Sequence, residues 1–309
     1  MASVLAAGWQ HVRSIRQPLS PASTPAEAHA TKICVTMMDD RPAAMPVHET
    51  DWLDLPYMSL TIPLNALYAK RRGYEFRFYN FSGSGCNHPA AQNVPAQYLP
   101  MTWCKVVVWE HAMFGPNPCG TVLFLDTDAI VSDFDFRIDD VISAEKASVV
   151  IEAAHTPPTG RGRMDELWNV HGLPIWEEWT RNAVFGGGIL LNAGVILFHR
   201  GDGLLMRQIL DAWWQGALDR PRELSGGDQL CGGNCLWNWP HEQAVFENSV
   251  WPRFYEHVRV LPIGTINGFS GRYVRHLWGC AGRGLRMQVL MRTLAELELE
   301  DWVTAYGAN

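Results

Sequence analysis

Two aspartates, Asp126 and Asp128, follow the wholly apolar run 122–125 in "TVLFLDTDAIVSDF". Carboxylates at the end of a buried strand cost desolvation energy unless something compensates them. Residues two apart in an extended segment point to the same side, so both can face one hard cation such as Mn²⁺ or Mg²⁺, which take oxygen ligands. The same pair could instead cap a helix or bind loop amides. Far along the chain, "HLWGCAGR" places His276 three residues before Gly279. A histidine can complete a metal site with two carboxylates, and glycine amides can meet phosphate oxygens. Taken alone, His276 reads equally well as a hydrogen-bonded histidine near a turn. Between them, "LNAGVILFHR" sets Asn192, Ala193 and Gly194 beside an apolar run, and small residues let a ligand approach the backbone closely.

Three readings compete for these residues. In a nucleotide-sugar transferase, a metal bridges the carboxylates to a diphosphate. In an aspartyl-phosphate hydrolase, the first aspartate is the nucleophile and the second a general acid. That second motif belongs near the start of its domain and before a Gly/Thr turn, whereas here it lies well past the first strand and "AIV" follows. The third reading is a protein that binds glycans or sugar nucleotides without catalysis.

The elements that must position these residues alternate between strand and helix. "KICVTMM" reads as a buried strand ending at Asp39 and Asp40, which either contact a base or ribose or simply begin a loop. A helix follows, then a stop at Gly73, a strand near residues 75–79, and the helix "MTWCKVVVWEHAMF". Strands are expected in "ASVVIEAA", "GGGILLNAGVILFHR" and "HVRVLP", and helices in "LLMRQILDAWWQGAL", "HEQAVFENSVW" and residues 285–302. The alternation predicts an α/β fold with helices packed on a mostly parallel sheet, in one domain spanning residues 31–309. On the transferase reading, residues 31–130 would bind the nucleotide and 131–285 the acceptor, with residues 286–302 forming a C-terminal helix. Residues 1–30 read as a disordered Pro/Ser/Ala tail in preference to an organelle transit peptide.

The chain has 309 residues, a net charge of −7 and 47% hydrophobic content. An acidic balance of this kind argues against a nucleic-acid partner. No apolar stretch approaches the roughly 20 residues that span a bilayer, so no transmembrane segment is expected. Seven cysteines, Cys231 and Cys235 in "CGGNC" among them, have no metal-finger layout and read as mostly reduced thiols, with room for a disulfide in a luminal setting. The compartment stays open, with the cytoplasm as the default. Long irregular segments at 155–188 and 220–240 carry Trp168, Trp176, Trp179, Trp237 and Trp239. These rings either stack on acceptor sugars or are ordinary, partly buried amphipathic side chains.

Five stretches in order, "WCKVVVWEHAMFGPNPCGTVLFLDTDAIVSDF", "LNAGVILFHR" with "LLMRQILDAWWQG", "HEQAVF", "RVLPIGTING" and "HLWGC", resemble glycosyltransferase family 34. This is the family of galactosyl-, mannosyl- and xyloglucan xylosyltransferases. "LNALYAKRRGYEF" is similar to its upstream pattern. The resemblance implies a GT-A, Rossmann-like fold with a mixed, mostly parallel central sheet flanked by helices. It also implies retaining, metal-dependent transfer of galactose, xylose or mannose to an oligosaccharide or glycoprotein acceptor. The implied cofactor is Mn²⁺ or Mg²⁺, and the implied donor a nucleotide-diphosphate sugar, with UDP favoured over GDP. The Golgi lumen is the compartment the family suggests.

Residue by residue, the resemblance assigns Asp126, Asp128 and His276 to the metal. Asn192 and Gly194 fall near the donor sugar, and Glu242 and Gln243 at the reacting centre, with Asp228-Gln229 as rivals. Lys105, Asp39, Gly279 and Arg283 are assigned to the nucleotide or its phosphates. The chain departs from the family where xyloglucan enzymes place a lysine after the His-x-x-Gly-Cys motif, since Ala281 stands there. It also has no stretch matching the family's usual membrane anchor.

Overall fold

The computed structural model describes residues 12–16, 32–41, 57–81, 101–153, 191–219, 242–262, 264–277 and 283–297, together with 7, 8 and 10. Chain order gives β1 (Arg13–Arg16), β2 (Ile33–Asp39), α1 (Met58–Arg72), β3 (Glu75–Asn80), α2 (Cys104–Phe114), β4 (Thr121–Leu125), β5 (Ala129–Val131) and α3 (Ile138–Glu145). There follow β6 (Val149–Ala153), β7 (Leu191–His199), α4 (Gly203–Asp219), α5 (Glu242–Val245), a π-turn (Phe246–Val250), α6 (Trp251–Phe254), β8 (Val258–Leu261), β9 (Val274–His276) and α7 (Arg283–Glu296).

The main sheet has the order β1-β3-β2-β4-β7-β6-β8. Its pairings are parallel except at β7, which runs antiparallel to both β4 and β6. This is the mixed, mostly parallel sheet flanked by helices that the sequence predicts. A sheet covered on both faces needs strands that are apolar on both sides. Along β2, β4 and β7, Val35, Met37, Leu123, Leu125, Val195 and Leu197 enter one core layer, under α1 and α7. Cys34, Met38, Val122, Phe124, Ile196 and Phe198 enter the other, under α2 and α4.

Gly73 closes α1 in the left-handed conformation (φ 71°), which a residue without Cβ adopts without strain. The two-stranded sheet β5–β9 lies apart from the main one and pairs Ala129 with His276. Among the described residues, no helix is long and apolar enough to cross a membrane.

Two expectations need correction. Arg13–Arg16, read as part of a structureless tail, form β1 and extend the sheet by parallel pairing with β3. Cys34 and Cys119, among the cysteines read as mostly reduced, are joined in a disulfide. The cause is their closeness in space: β2 and β4 are neighbours, and Cys119 lies just before β4. Cys104 is disulfide-bonded as well. The two tryptophan-bearing segments, Cys231, Cys235, Asp228 and Gln229 lie outside the described residues.

Candidate functional site

The alternation of β4 decides where Asp126 goes. Val122 and Phe124 face the α2 layer, and the next side chain in that series is Asp126, one residue past the strand. Its carboxylate meets Lys105 of α2, whose Nζ lies 2.9 Å from Oδ1 and 3.0 Å from Oδ2. Lys105 Nζ is also 3.0 Å from Oε1 of Glu242, at the start of α5. Burial disfavours the charge on Lys105, but the carboxylates of Asp126 and Glu242 outweigh it and hold its pKa above the ordinary value. Burial pushes the Asp126 carboxyl upward against the pull of Lys105 and His276.

The segment after Asp126 is pinned by α1. Thr61 Oγ1 donates to the Thr127 carbonyl at 2.5 Å. Asn65 Nδ2 donates to the Ala129 carbonyl, and Val131 N donates to Asn65 Oδ1, both at 2.9 Å. A buried amide thus pairs with β5 much as a strand would. Asn65 is the asparagine of the "LNALYA" pattern, and this pairing is its structural reason.

Pairing of β9 with β5 then brings His276 to the aspartates. Its Nε2 lies 3.0 Å from Asp128 Oδ1 and 3.8 Å from Asp126 Oδ2. One ligand atom from each of Asp126, Asp128 and His276 falls within 4.8 Å of the others. On the far side of the ring, Nδ1 lies 2.8 Å from Asn267 Oδ1. The orientation of that amide follows from its other bonds: Nδ2 donates to the Asn192 carbonyl at 3.4 Å, and Oδ1 accepts from Gly268 N at 2.8 Å. Nδ1 is therefore a donor to Asn267, and Nε2 is directed at the aspartates. At 3.0 Å from a carboxylate oxygen, Nε2 carries a proton, or would ligate a metal cation together with it. Burial would raise the Asp128 carboxyl, but His276 and then Arg286 bring it below the ordinary value.

The small residues of β7 make room for this cluster. Asp126 N donates to the Gly194 carbonyl at 2.7 Å. A Cβ at position 194 would lie 2.0 Å from His276 Cε1 and 2.8 Å from Asp126 Oδ2. Asn192 Oδ1 accepts from Gly194 N at 2.8 Å, and Gln243 Oε1 accepts from Ala193 N at 2.7 Å. Glu242 and Gln243 therefore stand behind the cluster. Glu242 is 0% exposed and paired with Lys105.

Asp39 reaches the same region through Thr127, whose Oγ1 donates to Asp39 Oδ2 at 2.7 Å. Its carboxylate is also held by Arg41, with Nε at 2.8 Å and Nη2 at 2.6 Å. Despite burial, the bonds from Arg41 and Thr127 keep its pKa below the ordinary value. Gly279 and the side chain of Arg283 lie outside the described residues. One turn further along α7, Arg286 Nη2 is 3.7 Å from Asp128 Oδ2, and its guanidinium lies 5.2 Å from the Tyr57 ring centre. Arg41 packs on the same ring at 5.1 Å.

Sequence reasoning passed over Asn267, Arg286, Arg41 and Tyr57. Only Arg286 carried a usable signal, since it lies three residues beyond Arg283 on a predicted helix and so near the same face.

No family model matches the chain, and no curated protein matches it. Solved structures do. One is a glycosyltransferase involved in the glycosylation of the major capsid of PBCV-1, at 15% identity and TM-score 0.49, covering 84% of this chain and 99% of that one. Another is the galactosyltransferase LgtC in complex with donor and acceptor sugar analogs, at 14% identity and TM-score 0.39, covering 86% and 95%. A third is the glycosyltransferase GlyE of Streptococcus pneumoniae TIGR4, at 11% identity and TM-score 0.38, covering 88% of this chain and 58% of that one. At such identities and scores these likenesses add nothing to the site, whose chemistry is read from its own geometry.

Proposed function

We propose that the chain is a divalent-metal-dependent, retaining glycosyltransferase that moves a hexose or pentose from a nucleotide-diphosphate sugar to a glycan acceptor. One observation carries this reading: Asp126, Asp128 and His276 converge with their ligand atoms within 4.8 Å, just beyond the carboxyl end of β4. Ligands of open α/β sheets collect at such strand ends. Two carboxylates and an imidazole nitrogen directed at them fit Mn²⁺ or Mg²⁺. When bound, the cation supplies Lewis-acid stabilisation of the charge on a leaving diphosphate.

The chain's own residues do the rest. Lys105 balances the buried charge of Asp126 and Glu242 and so keeps Asp126 in place. Arg286, in the role expected of Arg283, adds positive charge where a phosphate would leave. Galactose, xylose and mannose remain the sugars implied by family 34, and UDP the favoured nucleotide; both rest on the ordered motifs. A carboxylate that is wholly buried and paired with lysine is poorly placed to attack an anomeric carbon. We therefore favour front-side attack assisted by the leaving phosphate over a covalent intermediate on Glu242. The division into a nucleotide half (31–130) and an acceptor half (131–285) is retained as part of the proposal. The Cys34–Cys119 disulfide suits an oxidising compartment, which favours the Golgi lumen over the cytoplasmic default.

The test is a thermal-shift screen of UDP, GDP and their sugar conjugates, each with Mn²⁺ and with chelator. A ligand that binds the folded state raises its melting temperature by mass action. The expected result is a metal-dependent rise with uridine nucleotides that vanishes in Asp128→Asn and His276→Ala. No rise with any nucleotide, from folded protein, sinks the reading. A glycan-induced rise without a nucleotide one would replace it with the binding-only protein.

A further inference from the structure

Glu152 takes no part in the cluster, yet it is 1% exposed in the interior. It sits at the end of β6, where the register with β7 shifts between Ile151 and Glu152 and sets Glu152 opposite Asn192. On its other side Glu152 pairs with Leu261 of β8. Its carboxylate then receives the loop that follows β8: Gly264 N donates to Oε1 at 2.6 Å and Ile266 N donates to Oε2 at 2.5 Å. The next residue in that loop is Asn267. The loop also pairs with the approach to β9, through Arg272 N to the Gly264 carbonyl, Tyr273 N to the Thr265 carbonyl and His276 N to the Gly268 carbonyl.

We propose that Glu152 is a positioning residue for the metal site: its carboxylate fixes the 264–267 loop, and through Asn267 sets the tautomer and direction of His276. The geometry gives the chain of cause. A carboxylate in which backbone N–H groups converge holds the loop at fixed height against the sheet. Asn267, tied to the Asn192 carbonyl on β7, can then accept from Nδ1 of His276 and from nothing else on the ring. Outer partners that orient a ligating histidine typically change metal affinity by about 10- to 100-fold when removed. The value of this inference for metal affinity rests on the proposed function.

The experiment uses the full chain with ¹⁵N-labelled histidine, saturated with diamagnetic Mg²⁺ and at a pH above the imidazole range. His276→Gln identifies the His276 signals. The wild type is expected to show the Nδ1–H tautomer, and Glu152→Gln and Asn267→Ala a shift toward the Nε2–H form. Titration with Mn²⁺ alone, read by the electron paramagnetic resonance of the free ion, is expected to show about tenfold weaker binding in Glu152→Gln. The double variant should be no weaker than Asn267→Ala by itself. An unchanged tautomer in folded Glu152→Gln overturns the inference, even with a lowered melting temperature, because Glu152 would then be structural only. If Glu152→Gln does not fold, Glu152→Asp carries the same test, with a smaller shift expected and an unchanged tautomer again decisive. A wild type that binds no Mn²⁺ would sink the metal reading, whereas a metal-binding wild type whose tautomer survives Glu152→Gln overturns this inference alone.

Discussion

Gly194 and His276 approach so closely that a methyl group on residue 194 would fall 2.0 Å from Cε1 of the imidazole. No side chain can be added there unless the histidine moves, and Asp126 Oδ2 at 2.8 Å from the same point must move with it. Two of the three candidate metal ligands therefore depend on an absent Cβ.

Gly194→Ala is accordingly expected to leave the sheet folded and to lower Mn²⁺ affinity by about 100-fold, a loss on the scale of removing an outer partner of a ligating histidine. Calorimetric titration of Mn²⁺ into the variant checks it. Wild-type affinity would mean that the cluster is not the cation site.

Lys105 is the cation shared by two carboxylates, and Glu242 is wholly buried. Lys105→Met leaves buried negative charge uncompensated, which costs about 3–5 kcal/mol when one partner of a buried pair is removed. Urea unfolding of Lys105→Met and of Lys105→Met/Glu242→Leu should show the double variant recovering much of that loss. Equal instability in both would contradict the pairing.

The Glu152 carboxyl is pushed up to about 7 by burial, against the opposing pull of the Gly264, Ile266, Asn267 and Thr265 amides. A folded-state value above the unfolded one means that the protonated form is favoured by folding. Its contribution is then complete below about pH 4.5 and is lost as pH rises through about 7, on the order of 3 kcal/mol. Unfolding free energies from pH 4.5 to 8 should fall in the wild type relative to Glu152→Gln. Parallel curves would refute the shift.

The Cys34–Cys119 bridge spans 85 residues of sequence. Loop-closure entropy gives such a cross-link about 4–5 kcal/mol. Cys34→Ala/Cys119→Ala should unfold at clearly lower denaturant than the wild type under oxidising conditions. Identical midpoints would mean that the bridge is not formed in the folded protein.

What the amino-acid sequence by itself determined is local and periodic. The two-residue alternation along "TVLFLDTD" placed Asp126 and Asp128 at a strand end, and Gly73 marked the stop of α1, because each rests on the conformational preference of one short segment. The ordered motifs went further and named His276, Gly194, Lys105 and Glu242 without saying which touches which. Tertiary structure alone decided those partnerships. Pairing of β5 with β9 brought His276 to Asp128, the packing of α2 and α5 put Lys105 between Asp126 and Glu242, and adjacency of β2 and β4 joined Cys34 to Cys119. Asn267, Arg286 and Glu152 entered only there. A buried polar group is stabilised by the partner that the fold brings within hydrogen-bonding distance, and no period in the sequence records which distant segment that will be.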